Sequence, residues 1–125
     1  MKLIDVINAR RVIINKASVK GISFGTSFKF MKFMKATDDD QKFYEEKRNE
    51  LIEKFATKDE NGTPIYEGDK YSFTDENFKE VNKQLVELAE TEVEISESLK
   101  FTEQELDKME FTIEEVSAIY DLIKE

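Results

Sequence analysis

The sequence predicts a mainly α protein, a helical bundle or long helical hairpin with one small β-hairpin at about 63–73, on three observations. Apolar residues recur at helical spacing: Leu3, Ile4, Val6, Ile7, Ile13, Ile14 and Ala17 share one broad face, and Ile113, Val116, Ile119, Tyr120 and Ile123 repeat at i, i+3, i+4. Two capping boxes, Thr102 with Glu105 and Thr112 with Glu115, mark helix starts near the C-terminal end. Gly68-Asp69 is a two-residue hairpin turn signal.

The first helix is expected over 3–17, with Arg10 near the middle of its apolar face and Arg11 at the edge. Residues 18–27, SVKGISFGTS, hold two of the four glycines and read as a connection. FKFMKFMK at 28–35 fails as a strand, because both faces would mix Phe or Met with Lys. As a helix it separates Phe30, Met31, Phe33 and Met34 from Lys29, Lys32 and Lys35, with Phe28 alone out of place. Tyr44, Leu51, Ile52 and Phe55 keep the same angular phase, so a single helix is expected over 28–57, about 43 Å long. Its weak point is TDDDQ at 37–41, where Thr37 or Asp38 could instead cap a second helix.

Asn61-Gly62 and Pro64 end that region, and the hairpin turn would set Glu67 opposite Lys70 and Tyr66 opposite Tyr71. A two-stranded hairpin is marginal alone and must lean on other elements. Thr74 caps a helix over 75–91 with the stripe Phe78, Val81, Leu85 and Leu88. VEIS at 93–96 alternates like an extended link, and helices over 103–109 and 113–124 complete one domain, 1–125.

Charge is uneven. Residues 1–37 carry eight basic groups against Asp5 alone, a surplus of seven, while 38–125 carry 11 basic and 27 acidic groups, a deficit of 16 within a net charge of −9. Either basic and acidic elements pack together in one fold or oligomer, or two faces serve different partners. With no cysteine there is no disulfide or thiolate site, and with no histidine neutral-pH proton transfer lacks its usual carrier. The opening MKLIDVINARR is wrong for a signal peptide and no apolar run suits a membrane span, so a cytoplasmic protein without membrane association is expected.

No metal site is expected. DENG at 59–62 departs from a calcium loop, since its glycine comes fourth and Lys70 stands where the bidentate glutamate belongs. Asp38, Asp39 and Asp40 point in three directions on a helix. No phosphate loop, nucleophile elbow or dinucleotide turn occurs, so no catalytic residues or cofactors are assigned and the protein is read as a non-enzyme.

The three arginines, against 16 lysines, are the candidate ligand-binding residues. Arg10 and Arg48 both project into apolar stripes, where a guanidinium either grips an anion bidentately or makes a semi-buried ion pair. Arg10, Arg11, Arg48, Lys29, Lys32 and Lys35 are therefore the expected anion set, suited to a nucleotide-like small ligand. Nucleic acid fits poorly, because the aromatics lie opposite the lysines and the whole chain is acidic. Phe28, Phe30, Met31, Phe33, Met34, Tyr66 and Tyr71 are the expected interface, with so much apolar surface that a homo-oligomer is expected as well.

Residues 45–95 carry Arg48, Leu51, Ile52, Lys58-Asp59-Glu60-Asn61-Gly62, Asn77-Phe78, Leu85 and Thr91-Glu92-Val93-Glu94. This stretch resembles a family of small uncharacterised proteins from phages of Gram-positive bacteria. The resemblance covers under half of the chain and leaves out FKFMKFMK. It implies a phage origin and an infected bacterial host cytoplasm, and brings no catalytic residues. The expected function is a phage-encoded, non-enzymatic protein that binds a host protein and inhibits or redirects it, as an anti-defence factor does. The alternatives are a sponge for a phosphate-bearing signal and a phage assembly or scaffolding protein.

Overall fold

In the computed structural model, which describes residues 1–107 and 109–124, the chain is mainly helical with one small antiparallel hairpin. The order is α1 (Leu3–Ala17), α2 (Phe24–Ala36), α3 (Asp38–Phe55), β1 (Tyr66–Glu67), β2 (Lys70–Tyr71), α4 (Asp75–Ala89), α5 (Glu103–Leu106) and α6 (Ile113–Ile119). Short 3-10 turns lie at Glu97–Leu99 and Tyr120–Leu122. Where the sequence reading has one domain, the chain folds as two compact units, Met1–Gln41 with Glu92–Glu125, and Lys42–Thr91.

The first unit is built from the two ends of the sequence. α1 packs against α2 and α6, and its buried Val6, Ala9, Val12 and Ile13 join Phe30 and Phe33 of α2. Phe101, Leu106, Met109, Ile119 and Leu122 close the core from the other side. Phe30 meets Phe101 at 5.0 Å between centroids with planes tilted by 58°, a geometry that adds to simple area burial. The extended segment after α4 runs beside the start of α1, with the Val93 amide donating to the Met1 carbonyl at 2.8 Å.

The expected helix over 28–57 is two helices, and it starts earlier. Ser23 caps α2, its hydroxyl accepting from the Thr26 amide at 3.2 Å, so the helix begins at Phe24. The break falls at Thr37, whose φ of −109° and ψ of 5° leave the helical basin. Its hydroxyl donates back to the Phe33 carbonyl at 2.8 Å. Asp38, Asp39 and Asp40 then occupy the first turn of α3, where the helix dipole favours carboxylates.

Arg10 holds this junction. It is 7% exposed, and one terminal nitrogen donates to the Met34 carbonyl at 2.7 Å and the Thr37 hydroxyl at 2.8 Å. The other lies 3.5 Å from an Asp38 oxygen. The guanidinium thus takes one carbonyl from the last turn of α2, the Thr37 hydroxyl and the first carboxylate of α3 together.

The last two helices are shorter than their periodicity predicts. α5 ends at Leu106, where the Met109 amide makes an i−3 bond to the Leu106 carbonyl and Met109 enters the core. Lys108, inside the predicted 103–109 helix, and Glu125 lie outside the described residues. α6 gives way at Tyr120 because the chain ahead is used elsewhere. Phe101 donates to the Leu122 carbonyl at 2.7 Å and accepts from the Lys124 amide at 2.7 Å, a parallel bridge that needs extended backbone.

In the second unit the hairpin has the expected register, Tyr66 opposite Tyr71 and Glu67 opposite Lys70. Gly68 supplies the positive φ, 60°, at the first central position of the turn. The hairpin leans on its own flanks: Thr57 donates to Ser72, Ile65 to Thr57 and Ser72 to Ile65, at 2.8–3.0 Å. α4 is capped by Thr74 as expected, and the Asn77 side chain donates to the Phe55 carbonyl at 3.2 Å, receiving the end of α3.

Replacing Arg10 with Ala removes the donor to the Met34 carbonyl and the Thr37 hydroxyl, and is expected to lower unfolding free energy in urea by about 2–3 kcal/mol. A loss below about 0.5 kcal/mol, the scale of an ordinary surface change, would show that the junction holds without it.

Candidate interaction surface

α2 has two faces, and sequence periodicity resolves only one of them. Thr26, Phe30 and Phe33 are buried. On the opposite side Phe24, Phe28 and Met31, spaced i, i+4, i+7, are 83%, 42% and 41% exposed. Phe24 and Phe28 lie with ring centroids 6.0 Å apart and planes within 16°. The Lys32 ammonium sits 4.8 Å from the Phe28 centroid, and Lys35 is exposed on the same side. The result is an apolar stripe edged with cations on an otherwise acidic chain.

Two expected interface residues, Phe30 and Phe33, are taken up by the core, while Phe28 and Met31 stay outward and Met34 is half-buried against the core. Tyr66 and Tyr71 meet at 4.7 Å between ring centroids, with planes tilted by 60°, on the hairpin and are exposed, in the other unit. Phe24 was hidden from sequence reasoning because SVKGISFGTS looks like a connection. The available signal was Ser23, three residues before Thr26, with its hydroxyl free to cap.

The residues of the expected anion set fall in both units, Arg48 in the second and the other five in the first. Arg10 is committed to the α2–α3 junction, Arg11 is exposed on α1, and Arg48 is exposed on α3 in the second unit. Lys29 donates to the Lys100 carbonyl at 2.8 Å and to the Glu105 carboxylate at 2.7 Å, 5.7 Å from the Phe101 centroid. Asp59 of DENG turns its carboxylate onto the amides of Asn61 and Thr63 at 2.9 and 3.0 Å. Among the described residues no trio of His, Cys, Asp or Glu could hold a metal ion.

Part of the uneven charge is resolved inside the first unit, where Lys16 and Lys29 meet the C-terminal capping boxes. Both boxes form, and each glutamate serves twice. Glu105 accepts from the Thr102 amide and hydroxyl, both at 3.0 Å, as well as from Lys29. Glu115 accepts from the Thr112 amide at 2.9 Å and pairs with Lys16 at 3.2 Å. Burial alone would raise the Glu105 pKa, but the bonds from Lys29 and Thr102 outweigh it and hold it below the usual value of 4.5. Glu115 is also lowered, first by the Thr112 amide and then by Lys16 against a desolvation penalty. The Lys100 hydrogen bond lowers Glu97 in the same way.

A solvent-open groove of about 970 Å³ lies between α5 and α6. Leu106, Met109, Val116, Ile119 and Tyr120 line its apolar part. Glu103, Asp107 and Asp121 stand among the lining residues. Comparisons with protein-family models, curated proteins and solved structures find no match. The exposed face of α2 and this groove are thus the two surfaces on which a functional reading rests. Among the described residues no helix is long and apolar enough to cross a membrane.

The lowered carboxyls have a signed consequence. A folded-state pKa below the unfolded one gives stability that is complete above the unfolded value and is lost as pH falls through the folded value. Urea midpoints are therefore expected to drop between about pH 5 and pH 3, and Glu105→Gln with Glu115→Gln to flatten that decline. An acid limb identical to the parent's would show that these carboxylates contribute nothing by ionising.

Proposed function

We propose that this chain is a non-enzymatic, phage-encoded interaction protein that binds a host protein in the infected cytoplasm and inhibits or redirects it, using the outer face of α2 as its contact. The resemblance over 45–95 supports the phage origin. The observation that carries the binding role is the stripe Phe24, Phe28 and Met31, left open to water with Lys32 and Lys35 beside it. Aromatic and methionine side chains flanked by cations make good interface anchors, since each ring removes about 150–250 Å² from water when covered. At about 25 cal/mol per Å², leaving two such rings uncovered forgoes several kcal/mol.

The complementary partner surface is an apolar pocket rimmed by carboxylates, a match that also speeds encounter despite the acidic charge of the rest of the chain. The sponge reading has less behind it, because Arg10 and Lys29 already donate to protein acceptors.

A photo-crosslinking residue in place of Phe28 is expected to trap one host protein in lysate, and the trap is expected to fade when unlabelled parent protein competes. Phe24→Ser with Met31→Ser is expected to weaken capture at least about tenfold while leaving helical circular dichroism unchanged. Equal capture by parent and variant would overturn the assignment of α2 as the contact.

A further inference from the structure

We infer that the groove between α5 and α6 is a receptor for the outer face of α2 from a second copy of this chain, so that the protein assembles head to tail. Such assembly uses the same α2 face as the proposed host contact but does not require that contact to exist.

Three observations converge. First, the outer face of α2 has the i, i+4, i+7 anchor spacing with which an amphipathic helix enters a hydrophobic groove, over a length of about 10 Å. Second, the groove supplies an apolar lining in Leu106, Met109, Val116 and Tyr120, with Tyr120 itself 63% exposed, in a volume of about 970 Å³. Third, the charges match. Of the groove's charged side chains among the described residues, Glu97 and Lys100 pair at 2.7 Å, leaving Glu103, Asp107 and Asp121 against Lys124. The incoming face brings Lys32 and Lys35.

The contact has to come from another molecule. Within one chain α2 is fixed by its opposite side, through Phe30 on Phe101 and Lys29 on Glu105, and its outer stripe remains exposed. Because helix face and groove are different surfaces, the contact is heterologous: each copy offers one of each, and growth continues beyond a dimer unless the rotation closes a ring. A copy whose α2 is seated in a neighbour cannot present α2 to another partner, so assembly and partner capture compete.

Sedimentation velocity on the full chain tests this with paired charge reversals. The parent is expected to exceed its single-chain mass of 14.6 kDa as concentration rises through the micromolar range, and to fall back when salt is raised to about 0.5 M. Lys32→Glu/Lys35→Glu and, separately, Glu103→Lys/Asp107→Lys are each expected to remain at single-chain mass. Mixed in equal amounts they are expected to regain the parent's mass, because each reversed surface finds its complement on the other variant. Helical circular dichroism monitors folding, and Asp107→Lys/Asp121→Lys replaces the groove variant if α5 loses its start. Single-chain parent at every concentration would overturn the inference and leave the groove to a basic helix of another protein. Failure of the mixture to reassociate would overturn it too. The groove reversal is expected to leave the Phe28 crosslink to a host protein intact, so the two readings fail separately.

Discussion

The buried guanidinium of Arg10 is the constraint on which the first unit depends. A cation on the inner face of α1 has no access to bulk water, so it must find acceptors within the fold. It finds them where α2 ends and α3 begins: the Met34 carbonyl, the Thr37 hydroxyl and the Asp38 carboxylate. This fixes the end of α2 against α1 and, with it, the roll of the helix. Phe30 and Phe33 point at the core while Phe24, Phe28 and Met31 are left on the outside. The guanidinium is not fully satisfied, since Nε has no hydrogen-bond partner among the described residues, a cost of about 1–3 kcal/mol set against its other contacts.

The remaining charges follow the same pattern. A chain with a basic first third and an acidic remainder could have been two repelling halves or a sticky dipole. Here Lys16 and Lys29 reach Glu115 and Glu105, which are already turned by their capping boxes toward Thr112 and Thr102. A carboxylate held by its threonine amide presents its remaining lone pairs in a defined direction, so the ammonium group is bound with less loss of freedom than at a free surface pair. Lys32 and Lys35 face outward instead, which places positive charge beside the α2 stripe.

Much of this was legible in the residues. The mainly α class, the 3–17 helix, both capping boxes and the Tyr66–Tyr71 register follow from periodicity and turn chemistry, which are local. The break at Thr37 was legible only as a weak point in an expected single helix. The i−4 bonds from the Thr37 amide to Phe33 and from the Gln41 amide to Thr37 persist across it, so the apolar phase carries through a kink that only dihedrals and Arg10 reveal. Arg10 and Arg48 carried the same signature, a cation in an apolar stripe, yet α3 buries none of its residues and α1 buries seven. Burial of a stripe depends on what packs over it, which no single helix records. The groove was invisible for a similar reason, since α5 and α6 each look like ordinary amphipathic helices until the Phe101 bridge ties the chain after α6 to the segment before α5.

The order of the two units along the chain has a consequence for how the protein is made. The Lys42–Thr91 unit is contiguous and has all its parts once its last helix leaves the ribosome. The other unit needs segments on both sides of that stretch, and its bridge from Phe101 to Ile123 forms only after residue 123 has been made. Until then the buried aromatics of α2 have no Phe101 to meet, and the nascent N-terminal helices wait as an apolar, cationic surface for the trailing anionic segment that will cover them.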